Sequence, residues 1–86
     1  MVSLSMITAA QIRSARAALR WSVAELAERA GVGLQTVKRF EAAEGVPPSR
    51  SSTLLEVRRA LEGAGIEFIG TPEDKPGIRV KSGSTS

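Results

Sequence analysis

The 86-residue sequence predicts a mainly helical domain, four or five short helices followed by a short C-terminal β-hairpin. Three observations carry that expectation. Apolar residues recur at helical spacing in separate stretches as far as Leu61. Capping residues and glycines cut those stretches into short lengths. Beyond Gly65 the period becomes alternating, in two runs joined by a segment rich in turn formers.

Residues 8–20 contain no proline or glycine, and Ile12, Ala15 and Leu19 share one helical face. Thr8 is placed to cap this first helix. Ser22-Val23-Ala24-Glu25 has the capping-box pattern, in which the hydroxyl and the carboxylate each satisfy an amide at a helix start. Trp21 before the cap and Leu26 at the fourth helical position are spaced for a hydrophobic staple. The second helix should run about two turns and stop at Gly31, a natural C-cap. After Gly31-Val32-Gly33, the run LQTVKRFEAA forms a third helix with Val37 and Phe40 on one side. Gln35, Lys38, Arg39 and Ala42 lie elsewhere around it, and Pro47-Pro48 forbid its continuation.

The fourth helix is expected to begin between Arg50 and Thr53, and Thr53 to Glu56 forms a second capping-box pattern. Leu54, Val57 and Leu61 make its apolar stripe, and Gly63 and Gly65 should close it. Ile66 to Ile69 and Ile78 to Lys81 read as strands joined by GTPEDKPG. The expected organisation is a helical domain over 8–65, a hairpin extension over 66–81 and a flexible tail over 82–86.

Composition narrows the chemistry. The chain has no cysteine and no histidine, which excludes disulfides, thiol catalysis, Cys/His metal sites and a Ser-His-acid triad. With no tuned acid–base pair and no phosphate loop, an enzyme is not expected, nor a cofactor or metal. No apolar run has the length of a membrane span, and Met1 to Met6 lack the basic start and long apolar core of a signal peptide. A cytoplasmic location is expected. The net charge is +3, and its distribution is uneven: Arg13, Arg16, Arg20, Arg29, Lys38 and Arg39 face only Glu25 and Glu28 up to Arg39.

Two short helices joined by a glycine-containing turn, with a supporting helix in front, form a helix-turn-helix from Ser22 to about Ala42. In that arrangement the second helix of the pair enters the major groove of DNA. Such a helix needs an apolar side to dock and a polar side to read. Val37 and Phe40 supply the first; Gln35, Lys38 and Arg39 supply the second. Arginine and lysine suit guanine and glutamine suits adenine, each through paired hydrogen bonds.

The stretch SVAELAERAGVGLQTVKRFEAAEG resembles the DNA-binding domain of the XRE family, which includes the phage lambda and 434 repressors. The agreeing positions are Leu26, Ala27, Gly31-Val32, Thr36, Val37, Arg39 and Glu41, and IRSARAALR and TLLEVRRALEGAG extend the likeness over about residues 8–65. AGIEFIG and PGIRV resemble the ends of short bacterial regulators that close with a small hairpin. The resemblance implies a lambda-repressor-like fold and a sequence-specific transcriptional regulator, a dimeric repressor whose partner is double-stranded DNA. It places base contacts at Leu34, Gln35, Lys38 and Arg39, and phosphate contacts at Thr36, Ser49 and Arg50. It also places Arg16 opposite Glu41 as a partly buried ion pair. This chain departs from the family at Val23, where many members carry a glutamine that grips the backbone; Ser22 or main-chain amides would supply that contact. Leu34 stands where a polar reader is common and could meet a thymine methyl. The loop after the third helix is longer than usual and has Ala43 where glycine is frequent.

Simpler roles are expected elsewhere. Trp21 should pack rather than stack on a base, Arg13 should be surface charge, and Arg58 and Arg59 should solvate the fourth helix. Arg20 is open between surface charge and function, and Glu73-Asp74 are turn residues. Ile66, Phe68, Ile78 and Val80 could fold over the first or fourth helix, or the strands could pair with a second copy. A homodimer is expected, since dimers read two half-sites about one helical turn apart. With no length left for a ligand-sensing domain, any switch should come from concentration, a partner or the promoter. The alternative is an antitoxin or protein-interaction module in which the helix-turn-helix mainly supports partner binding.

Overall fold

Thr8 and Gln11 open the first helix by capping each other. In the computed structural model, which describes residues 7–47, 51–71 and 74–81, Thr8 Oγ1 accepts from Gln11 N–H at 3.1 Å and Gln11 Oε1 accepts from Thr8 N–H at 2.8 Å. Helix α1 follows as Ala9–Leu19 and ends at Arg20, which takes the left-handed conformation at φ 60°. No glycine stands there to take that conformation freely, at a steric cost of about 1–2 kcal/mol for an L-residue.

Helix α2 is Val23–Ala30, capped by Ser22, whose Oγ accepts from Glu25 N–H at 3.0 Å. The capping box is only half made, because the Glu25 carboxylate is engaged by Arg29 on the next turn at 2.9 Å. Gly31 closes α2 at φ 72°, and Gly31-Val32-Gly33 turns the chain into α3, Leu34–Ala42. Helix α4 is Ser51–Gly63. Thr53 therefore lies inside α4 and is not its cap. Gly63 is the last helical residue, without a left-handed φ, and Gly65 makes the turn at φ 104°.

Strands β1, Ile66–Thr71, and β2, Asp74–Val80, pair antiparallel with Ile66 opposite Val80 and Phe68 opposite Ile78. They are longer than the sequence suggested, because pairing continues to Thr71 opposite Asp74 past an irregularity after Ile69. Asp74 is thus a strand residue and not only part of the turn; Glu73 lies outside the described residues, as does the expected tail at 82–86. Gly70 enables the irregularity at φ 75°, where a Cβ would run into the carbonyl oxygen of Lys75.

One core gathers all of these elements. Ile7, Ile12 and Ala15 meet Leu26, Ala27 and Ala30 of α2, Val37 and Phe40 of α3, Leu54, Val57 and Leu61 of α4, and Ile66 of β1. Burying each larger side chain contributes about 1.5–3 kcal/mol. The hairpin folds back on its own chain, with β2 against α1 and β1 against α4. Phe68 and Ile78 pack on the core, whereas Val80 is half exposed. Arg58 does more than solvate α4: its guanidinium lies 5.4 Å from the Phe68 ring centre and pairs with Glu62 at 2.8 Å.

Gln11 fastens the hairpin. Its side chain is almost wholly buried, its oxygen is used by Thr8, and its Nε2 donates to Gly77 O at 2.8 Å and Ile69 O at 3.2 Å. Both amide hydrogens and the oxygen are thereby satisfied. Gln11→Met keeps the bulk but strands the buried Thr8 N–H and removes the donors from both strands. It should cost about 1–3 kcal/mol in thermal or denaturant unfolding. Amide exchange should show residues 66–69 losing protection before the helices; unchanged stability and protection would contradict the role given to Gln11.

Candidate nucleic-acid interface

Helix α3 has two unlike faces. Val37 and Phe40 are fully buried, while Leu34, Gln35, Lys38 and Arg39 are exposed, Leu34 by 39%. At 100° per residue those four span an arc of about 140° on the side opposite the buried pair. Among the described residues, Gln35, Lys38 and Arg39 make no ion pair and no side-chain hydrogen bond. Arg20 and Arg59 share that condition. By contrast Arg29, Arg58 and Arg79 are each matched, to Glu25, Glu62 and Glu67.

The back of α3 is held by two arginines of α1. Arg16 Nε donates to Glu41 Oε2 at 2.7 Å, Nη2 donates to Glu41 Oε1 at 3.0 Å, and Nη1 donates to Trp21 O at 2.9 Å. The side chains are 23% and 9% exposed, so the pair is mostly removed from water. Hydrogen bonding to Glu41 and its charge raise the Arg16 pKa above arginine's usual value against the opposing effect of burial. A pKa raised by folding adds stability below the unfolded value and loses it only above the folded one; for arginine that window lies beyond ordinary alkaline conditions. Arg13 is not merely surface charge, because its Nη1 donates to the backbone carbonyl of Glu41 at 2.6 Å. A cation on the last carbonyls of α3 also suits the negative end of that helix.

The remaining predicted positions are less uniform. Ser22 is exposed at the start of α2 with its oxygen accepting from Glu25 N–H, which leaves the hydroxyl hydrogen free to donate. Thr36 is half-buried at the start of α3. Val23 is half-buried and packs against the core, and its side chain has no hydrogen-bonding group for a phosphate. Ser49 and Arg50 lie outside the described residues. Trp21 packs against the core with the Arg29 guanidinium 4.5 Å from its ring centre. Sequence reasoning missed Gln11 and the Arg13 contact; the T-x-x-Q spacing from Thr8 to Gln11 was the available signal for the first, and no local pattern marks the second.

A three-residue turn between α2 and α3, with α1 behind them, is the arrangement that a family model also detects. The helix-turn-helix domain model matches residues 8–67, well over half of the sequence. The chain belongs to the helix-turn-helix domain family. No curated protein matches it. As a helix-turn-helix domain it belongs to a class of DNA-binding regulators, and its outward helix α3 is the element that this architecture offers to a groove. No helix among the described residues is long and apolar enough to cross a membrane.

Replacing Arg16 should expose how far α3 depends on α1. Arg16→Met leaves Glu41 and Trp21 O without their donor and should destabilise the fold by about 2 kcal/mol, less than a fully buried pair because part of it reaches water. Glu41→Gln should cost less, as it keeps one acceptor for the guanidinium. Equal stability of Arg16→Met and wild type in chemical denaturation would contradict this assignment.

Proposed function

We propose that this chain is a cytoplasmic, sequence-specific transcriptional regulator of the XRE type, a dimeric repressor that inserts α3 into the major groove. The observation that carries the reading is the unpaired Gln35, Lys38 and Arg39 face on a helix whose opposite side and C-terminal end are fixed. Lys38 and Arg39 would donate to guanine edges and Gln35 to adenine, with Leu34 against a thymine methyl. Ser22 and Thr36, together with Ser49 and Arg50 ahead of α4, would touch phosphates and set the register. Two copies would place their α3 helices in successive major grooves on one side of the duplex, about 34 Å apart.

The antitoxin or partner-binding alternative calls for apolar hairpin surface waiting to be covered. Of the described large hydrophobic residues only Leu34 and Val80 are exposed, and Phe68 and Ile78 already pack on the core. That distribution favours the DNA reading.

Binding selection from a random duplex library at physiological salt should enrich a two-fold symmetric site. On that site Arg39→Ala or Gln35→Ala should lose about 1–3 kcal/mol of affinity with the fold intact. Non-specific binding, governed by phosphate charge, should fall much less. Equal affinity of Arg39→Ala and wild type for the enriched site would remove Arg39 from the reading set, and enrichment of no sequence would overturn the proposal. Sedimentation equilibrium should give a dimer at tens of micromolar, and a monomer there would contradict the dimeric reading.

A further inference from the structure

Away from the α3 face, Trp21, Arg29, Arg59, Ala60, Gly63 and Ala64 line a hollow of about 300 Å³ that is open to solvent, between the α2 and α4 regions. Its floor is made of small residues. Ala60 and Gly63 stand one turn apart on α4, with Ala64 just beyond. A Cβ at Gly63 would meet nothing within 4 Å, and the residue has no left-handed φ. The backbone therefore does not require glycine at this point, and a helical glycine weakens its helix relative to alanine. Its effect is to keep the space beside Trp21 open.

The rim is aromatic and cationic. Arg29 lies over the Trp21 ring and is matched by Glu25. Arg59 is exposed and makes no ion pair among the described residues, although its neighbour Arg58 is paired with Glu62. The hollow thus joins an indole, an apolar floor and one uncompensated guanidinium, a planar fork that matches a carboxylate. Its volume lies at the small end of ligand sites, which run from about 300 to 1,000 Å³, and so suits a single ring.

We propose that this hollow binds a small aromatic carboxylate, its ring on the Ala60–Gly63 floor beside Trp21 and its carboxylate on Arg59. The hollow uses none of the residues proposed to touch DNA, so its failure and the failure of the DNA proposal are distinguishable.

Trp21 is the only tryptophan in the chain, which makes its emission a direct reporter. Benzoate titrated into the full chain should change that emission saturably, while acetate, which lacks the ring, and benzamide, which lacks the charge, should bind at least about tenfold more weakly. Arg59→Gln should weaken benzoate about tenfold without altering the benzamide response. Gly63→Leu should abolish both responses, with circular dichroism establishing that the helices persist; if that variant does not fold, Arg59→Gln alone decides. A linear, non-saturating response to benzoate, or equal benzoate affinity in Arg59→Gln and wild type, would overturn the proposal.

Discussion

The structure depends most on one guanidinium. Arg16 spends its three nitrogens on both carboxylate oxygens of Glu41 and on the carbonyl of Trp21. It thereby ties α1 to the end of α3 and to the turn that enters α2. The apolar contacts of Val37 and Phe40 hold α3 to the core, but burial is non-directional and does not by itself fix rotation or tilt. A bidentate arginine does, because its planar fork accepts only a narrow range of carboxylate geometries. Lysine, a point charge with rotatable donors, would supply attraction without that orientation. Arg13, bonded to the Glu41 carbonyl, strengthens the same junction.

Charge is divided between scaffold and candidate interface. Arg29, Arg58 and Arg79 sit beside glutamates on α2, α4 and the hairpin, and such exposed pairs contribute little to stability. Their larger effect is to reduce the number of uncompensated cations, although Arg59 on α4 and Arg20 after α1 remain among them. Lys38 and Arg39 have no carboxylate partner among the described residues, and on α3 their attraction to phosphate would speed encounter with DNA. The buried polar atoms of Gln11 serve a different end. By satisfying two strand carbonyls from α1, they make the hairpin part of the core rather than an appendage.

Most of the fold was legible because its signals are local. Thr8, Ser22 and Gly31 announce helix ends within a few residues of themselves, and the stripes of Ile12, Leu26, Val37 and Leu54 follow from spacing alone. The change of period after Gly65 announced the hairpin, but its full length depended on a Gly70 conformation that no alternation pattern encodes. Gln11 was not legible as a fastener, since its partners lie 58 and 66 residues away. Arg13 and Arg58 were misjudged for the same reason: an arginine on a helix surface reads as solvated until its neighbour in space is known. The Arg16–Glu41 pair came from family resemblance, not from spacing. The exposure of Gln35, Lys38 and Arg39 followed from periodicity, but their lack of partners was visible only in three dimensions.

The most direct test of the central claim is to map amide shifts of the isotope-labelled chain on adding its selected duplex. The largest changes should fall at residues 34–39 and around Ser22, with the hairpin little affected. Changes concentrated on β1 and β2, with α3 undisturbed, would contradict it.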